Sequence, residues 1–233
     1  MFPEQLPYQE IIFGTGDPIE KENVVEFRLL YQGVLLGASS TKTRAQEKHE
    51  LRRTFHPQLR RLWETNRNLG YLADRWCGVW IDKHPGAPIP PSDRKKLGLR
   101  AISEKWERCG FKFIPLVTED FTLRCRLDIL FLRPNQPRYI MQGGDLDGRL
   151  KTVFDALRLP DNKAETNDAT PTADEDPFFC LLQDDKLISE VSVTTDELLV
   201  LPNERQVKPN DAFLVIRVQI NHAYPGKVDN YFG

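Results

Sequence analysis

Three stretches of the chain alternate apolar and polar residues with a period of two, and this limits the fold more than any other feature. Over 123–132, Leu123, Cys125, Leu127, Ile129 and Phe131 fall on one side, and Arg124, Arg126 and Asp128 on the other. Val25, Phe27, Leu29 and Tyr31 alternate with Glu26, Arg28 and Gln32, and 213–220 repeats the pattern. Successive strand side chains leave opposite faces of a sheet, so each stretch reads as a strand buried on one face only. Such a sheet needs a covering layer. Helical periodicity supplies it over 43–55, 58–66, 99–109 and 148–159, the last with Leu150, Val153, Phe154 and Leu157 at i, i+3, i+4 and i+7. Pro57 is expected to break the first helix or open the next. Gly110 is expected to close the 99–109 helix from its C′ position. Residues 178–182 read as a short apolar stretch, and 187–193 as β-rich. Strands before, between and after helices predict an α+β fold, a small mixed sheet with helices on one face.

At 233 residues the chain is one domain with room for insertions. Its apolar runs, such as 33–38, are too short to cross a bilayer, so no membrane is expected. The first residues lack a basic and then apolar leader. The four cysteines, Cys77, Cys109, Cys125 and Cys180, form no CxxC pair, which argues against a zinc knuckle or a disulfide framework. Scattered thiols without a leader predict a cytoplasmic protein. Residues 1–20 read as an extended lead-in, and 84–92 and 134–144 as loops.

Charge is uneven. The net charge is −2, but residues 42–112 carry 17 basic and 8 acidic groups, between acidic flanks of net −4 and −7. A basic middle reads as a footprint for a polyanion, or as two amphipathic helices with solvated basic faces. Lys48, Arg52, Arg53, Arg60 and Arg61 are the candidate contacts. Trp63, Trp76, Trp80 and Trp106 fall in or beside this region, and read as an interface for a protein partner or as the region's own core. Residues 161–177 hold six acids, one base and no apolar period, and are expected to be a mobile acidic loop.

Two acidic clusters carry the chemistry. The first is Gly143-Gly144-Asp145-Leu146-Asp147-Gly148, leading into a helix bearing Lys151 and Asp155; the second is Gln183-Asp184-Asp185-Lys186, just before a strand. In an extended segment Asp145 and Asp147 point the same way. Converging carboxylates repel unless a cation or proton separates them, and hard oxygens suit Mg²⁺. A carboxylate from the second cluster closes such a site, and Lys151 adds positive charge beside a bound phosphate. The structural alternatives are an N-cap at Asp147, an ion-pair ladder of Asp147, Lys151 and Asp155, and a turn at 184–185.

The segment Asp145-Leu-Asp-Gly-Arg-Leu-Lys-Thr-Val-Phe-Asp-Ala-Leu157, followed by Leu182-Gln-Asp-Asp-Lys-Leu-Ile-Ser-Glu-Val191, resembles the RusA family of Holliday-junction resolvases. In that family a DLDN-like motif, a lysine six residues after its first aspartate and an FDAL helix precede a DD pair that opens a strand. The resemblance covers about half the chain. It implies a small α+β homodimer that binds Mg²⁺, with Mn²⁺ able to substitute, and cuts branched DNA in recombination and repair. It implies Asp145, Asp147 and Asp185 as metal ligands and Lys151 as the catalytic lysine. Asp184 is then a helper, Asp155 a support for Lys151, and Arg149 a DNA contact beside the motif. The chain departs from the family at Gly148, where asparagine is common, and at 142–144, where a basic run is common. Residues 41–105 and 161–177 have no family counterpart that can be placed. The first then reads as a large, mainly helical basic insertion that supplies the DNA contacts or binds a protein partner. The alternative function is a non-catalytic protein that binds structured DNA, or another partner, on the same scaffold.

Overall fold

A computed structural model of the chain describes residues 25–36, 41–85, 89–134, 145–199 and 210–223, without the side chains of residues 41, 42 and 145. The lead-in over 1–20 and nearly all of the 134–144 loop lie outside the described residues. In chain order the elements are β1 (Val25–Val34), α1 (Thr41–Thr65), α2 (Arg67–Lys83), α3 (Arg94–Lys105), β2 (Glu107–Arg108), β3 (Phe111–Val117), β4 (Leu123–Arg133), α4 (Asp145–Leu157), β5 (Phe178–Leu182), β6 (Ile188–Glu197) and β7 (Asp211–His222). Short 3₁₀ turns lie at Pro91–Asp93, Lys163–Thr166, Ala173–Glu175 and Asp185–Leu187.

The period-two stretches form one sheet, in the order β1-β7-β4-β6. β7 is antiparallel to both β1 and β4, while β4 and β6 are parallel, so the sheet is mixed as expected. Leu29, Leu127, Ile129, Leu214, Ile216 and Val218 fill its covered face. A second sheet, β2-β3-β5, pairs β3 parallel to β5. The architecture is therefore α+β with two mixed sheets. Among the described residues no helix is long and apolar enough to cross a membrane.

The region 41–105 is helical, and α1 is part of the main core rather than an attachment to it. Leu51, Phe55, Leu59 and Trp63, spaced four apart on one face of α1, join the same buried cluster as the strands. Trp63 and Trp106 are buried, and Trp76 packs against the cluster, so these three tryptophans serve the core. α1 also runs unbroken through Pro57, where a break or a fresh start was expected. Proline lacks the N–H that closes a helical turn, but the turn here is pinned from outside. The Phe179 N–H donates to His56 Nδ1 at 2.9 Å, and the other ring nitrogen lies 2.9 Å from the Asp174 carbonyl. Gln58 adds two bonds to the edge of β1, accepting from the Leu30 N–H at 2.9 Å and donating to the Leu30 carbonyl at 2.8 Å.

α2 and α3 cross at Gly98, where a Cβ would stand 1.6 Å from the Ala73 carbonyl oxygen, so only glycine allows this approach. Gly110 does not close a helix. α3 ends at Lys105, and Gly110 (φ 84°) joins Cys109 (φ 55°) in the turn between β2 and β3. Two successive positive φ values suit a tight hairpin turn.

The acidic stretch 161–177 is also folded, contrary to the expectation of an unstructured loop. Asn162 caps the first 3₁₀ turn by accepting from the Glu165 N–H, and Thr172 with Glu175 forms a capping box on the second. Thr166 and Glu175 are buried.

Candidate functional site

α1 and α4 lie side by side and run the same way, because their contacts rise in number together. Lys48 meets Asp155, and Arg52 reaches Asp155 and Arg158. The topology explains this. β1 and β4 both run antiparallel to β7, so they finish at the same end of the sheet, and each precedes one of these helices in the chain.

The predicted nucleic-acid contacts on α1 are largely taken up by the protein itself. Arg52 is 2% exposed. It donates to the carbonyls of Asp155 at 2.6 Å, Glu165 at 2.7 Å and Arg158 at 3.4 Å, and to the Glu165 carboxylate at 3.3 Å. It is a buried brace, and its assignment to a DNA surface is corrected. Lys48 is bound to the Asp155 carboxylate at 2.5 Å and is nearly covered. Arg149 is 6% exposed, so it too is not an open phosphate contact. Arg53 holds Glu175 at 2.6 Å. Burial disfavours the charged form of Glu175, but the Thr172 N–H and Arg53 outweigh it and hold its carboxyl below the usual range. Arg60 leans on the Asp174 carbonyl at 3.4 Å. Of the six, Arg61 is the most exposed, at 74% of its side chain, with Glu64 at 3.5 Å, and Arg53 is 42% exposed. The acidic segment 161–177 is thus the partner that the basic face of α1 meets.

Burial favours the neutral form of both histidines under this clasp. His49 lies between Phe111 and Phe178, with neither ring nitrogen hydrogen-bonded. Burial, with Arg53 and Arg52 adding, pushes it down to about 4. Burial lowers His56 as well, against the pull of its bond to the Asp174 carbonyl.

α4 treats its charges differently. Its backbone is helical from Asp145, so the expectation that Asp145 and Asp147 project together from an extended segment is corrected. Positions two apart on a helix point about 200° apart. Asp147 lies inside the helix and is not its N-cap. The ion-pair ladder is absent as well. Asp147 and Lys151 are exposed, and among the described residues neither has a hydrogen bond or an ion pair. Asp155, expected to support Lys151, is instead buried between Lys48 and Arg158, the latter at 3.4 Å.

The second cluster divides between its two acids. Asp184 caps the Asp185–Leu187 turn by accepting from the Lys186 N–H at 3.0 Å, which is a structural role. Asp185 is exposed and, among the described residues, its side chain has no ion pair or hydrogen bond. Its turn touches α4 and lies before β6, whose first residue pairs with Cys125 near the start of β4. Its charge acts on Arg158, just past the end of α4. Among the described residues no three Asp, Glu, His or Cys side chains converge as a metal-ligand set, and the Asp145 side chain lies outside those residues.

A hard divalent cation nevertheless fits the chemistry of these donors. Asp147 and Asp185 offer carboxylate oxygens spent on no internal partner. Glu47 on α1 is also buried, with both oxygens lacking a hydrogen-bond partner, but it does not converge with these two. Sequence reasoning missed Glu47, because a lone glutamate in a basic helix carries no motif signal. Comparison with protein-family models, with curated proteins and with solved structures finds no match.

Proposed function

We propose that the protein is a Mg²⁺-dependent endonuclease that hydrolyses phosphodiester bonds in branched DNA, acting as a homodimer in the manner of the RusA resolvases its motifs resemble. The observation that carries this reading is the pair Asp147 and Lys151, exposed on adjacent turns of α4 and spent on no internal partner. Exposed opposite charges four apart usually find each other on a helix. A pair left open beside the start of a helix suits an anionic ligand and its cation.

In this reading Asp147 and Asp185 supply carboxylate oxygens to Mg²⁺, with Asp145 a ligand only as the resemblance implies. When bound, the ion activates water and neutralises charge on the scissile phosphate. Lys151 sets its ammonium against the non-bridging phosphate oxygens, where negative charge grows during in-line attack. The partial positive charge at the start of α4 favours the same phosphate. Lys48 and Asp155 neutralise each other behind this surface, which leaves Lys151 as the cation facing solvent on these turns.

The test is cleavage of a labelled four-way junction, with linear duplex and single strand as controls, in Mg²⁺ and in EDTA. Paired cuts in the junction that need Mg²⁺ and vanish in Asp147→Asn are expected. Tight junction binding without cutting, unchanged in that variant, would replace the enzyme with a DNA-binding protein.

A further inference from the structure

The sheet β1-β7-β4-β6 has a second face, turned away from the core. Its residues alternate with the core residues along each strand, and the strand register sets them in rows. One half of this face is charged, as suits a face that meets water. The other half is apolar. Leu30 pairs with Val215 and Val215 with Leu130, and in the next row Phe213 pairs with Leu132. Val34 extends the patch along β1. Leu30 and Val34 are each 48% exposed, and the other four are half-buried. The chain is accordingly apolar without a break over 129–132 and 213–216. Such runs belong to strands covered on both faces, and a contiguous apolar patch left open marks an interaction surface.

The charged half points to what covers it. Arg28, Arg124, Arg126 and Arg217 share this face with Glu26, Asp128, Glu190 and Asp196. An equal number of each sign offers no field to a polyanion and suits a copy of itself. Most of these charges are matched within the face. Arg217 donates to the two Glu26 oxygens at 2.8 and 3.0 Å, and Arg126 donates to Glu190 at 2.6 Å. Asp128 is exposed and, among the described residues, its side chain has no ion pair or hydrogen bond. A two-fold axis lying in the interface, along the strands and between β7 and β4, resolves this. It sets Val215 against Leu130 of the second copy, Phe213 against its Leu132 and Arg217 against its Asp128. The area suffices as well. Four strands about 4.8 Å apart, paired over ten residues of about 3.3 Å each, span about 600 Å² in plan. Side-chain relief brings this close to the roughly 800 Å² per partner of a stable interface.

We propose that the open face of this sheet binds the same face of a second copy, making a two-layer sandwich across the dimer axis. The proposal deepens the homodimer of the function proposed above and rests on that part of it. α1 and α4 pack through the core cluster on the other side of the sheet, so the pairing covers neither Asp147 nor Lys151.

The test is sedimentation equilibrium of the whole protein over a range of concentrations, with thermal melts on the same samples. Wild type is expected to run at twice the chain mass, with a melting temperature that rises with concentration. Leu130→Glu and Val215→Glu each set a carboxylate against the apolar patch of the second copy, and should weaken pairing by about a hundredfold or more. Asp128→Lys, which removes no internal contact and so keeps the native fold, should weaken it by about tenfold by facing Arg217 of the second copy. Tyr71→Glu, at a residue of α2 that is 49% exposed away from this face, should pair as wild type does. A wild-type dimer left intact by Leu130→Glu, Val215→Glu and Asp128→Lys overturns this inference alone, because the homodimer then forms through another surface. A wild type that stays monomeric at every concentration overturns the homodimer reading and this inference with it.

Discussion

Arg52 on α1 and Lys151 on α4 are both cations on amphipathic helices, and the fold uses them in opposite ways. Arg52 is buried under four hydrogen bonds to α4 and to the segment that follows it. Lys151 stands in solvent without a partner among the described residues. The same contrast separates Asp155, held by Lys48 and Arg158, from Asp147, held by nothing described. Charges that the protein has already matched are part of its stability. Charges left open on a rigid helix are available to a ligand. The difference teaches that a basic stretch of sequence is no guide to a nucleic-acid surface until its internal partners are known.

The strongest break in this comparison is Arg52→Ala. It leaves the carbonyls of Asp155, Arg158 and Glu165 without this donor and strips the Glu165 carboxylate of one of its partners, Arg158 and the Asp161 N–H remaining, and is expected to cost about 3–5 kcal/mol in urea unfolding. Asp147→Asn and Lys151→Ala should stay within about 0.5 kcal/mol of wild type in the same assay, since they lose no internal contact. A large destabilisation by Lys151→Ala would erase the distinction between the two helices.

Acid should act on the clasp and spare the open end of α4. His49 sits at about 4 in the folded protein, against about 6.5 when exposed, so the unfolded chain binds the extra proton first. Stability from this group is complete above pH 6.5 and is lost as the pH falls toward 4, by about 3 kcal/mol in all. Burial of His56 pushes in the same direction. Melting temperature against pH is the measurement, and His49→Leu should flatten its slope between pH 6.5 and 4. An unchanged slope would place the acid sensitivity elsewhere.

Gly98→Ala tests the α2–α3 crossing, away from both regions. The added methyl meets the Ala73 carbonyl oxygen, and a loss of about 1–3 kcal/mol is expected. Cleavage by the folded fraction should be untouched, which would separate the outer helices from the site.

Much of the fold was legible because its signals are local. The alternation of 123–131 and 213–220, and the i, i+3, i+4, i+7 pattern of Leu150, Val153, Phe154 and Leu157, each need only a short window. The partners of α1 do not. Arg52 meets Glu165 across 113 residues, and Arg53 meets Glu175 across 122, so neither pairing leaves a trace in any window. For the same reason 161–177 read as unstructured: its order comes from the arginines and from His56, not from a hydrophobic period. Pro57 misled because its turn is held by Phe179 and Asp174 rather than by the helix alone. Asp145, Asp147, Lys151 and Asp185 were legible as a motif. What the motif concealed was the helical backbone at Asp145.

The central claim is that the open charges of α4 serve chemistry while the closed charges of α1 serve structure. Single-turnover cleavage of a labelled four-way junction by Lys151→Ala, with the urea midpoint taken on the same preparation, tests it most directly. The account predicts a wild-type midpoint and a cleavage rate reduced by about a hundredfold or more. Wild-type cleavage at a wild-type midpoint would contradict it, and would return Lys151 and its neighbouring aspartate to the ordinary solvated surface of a helix.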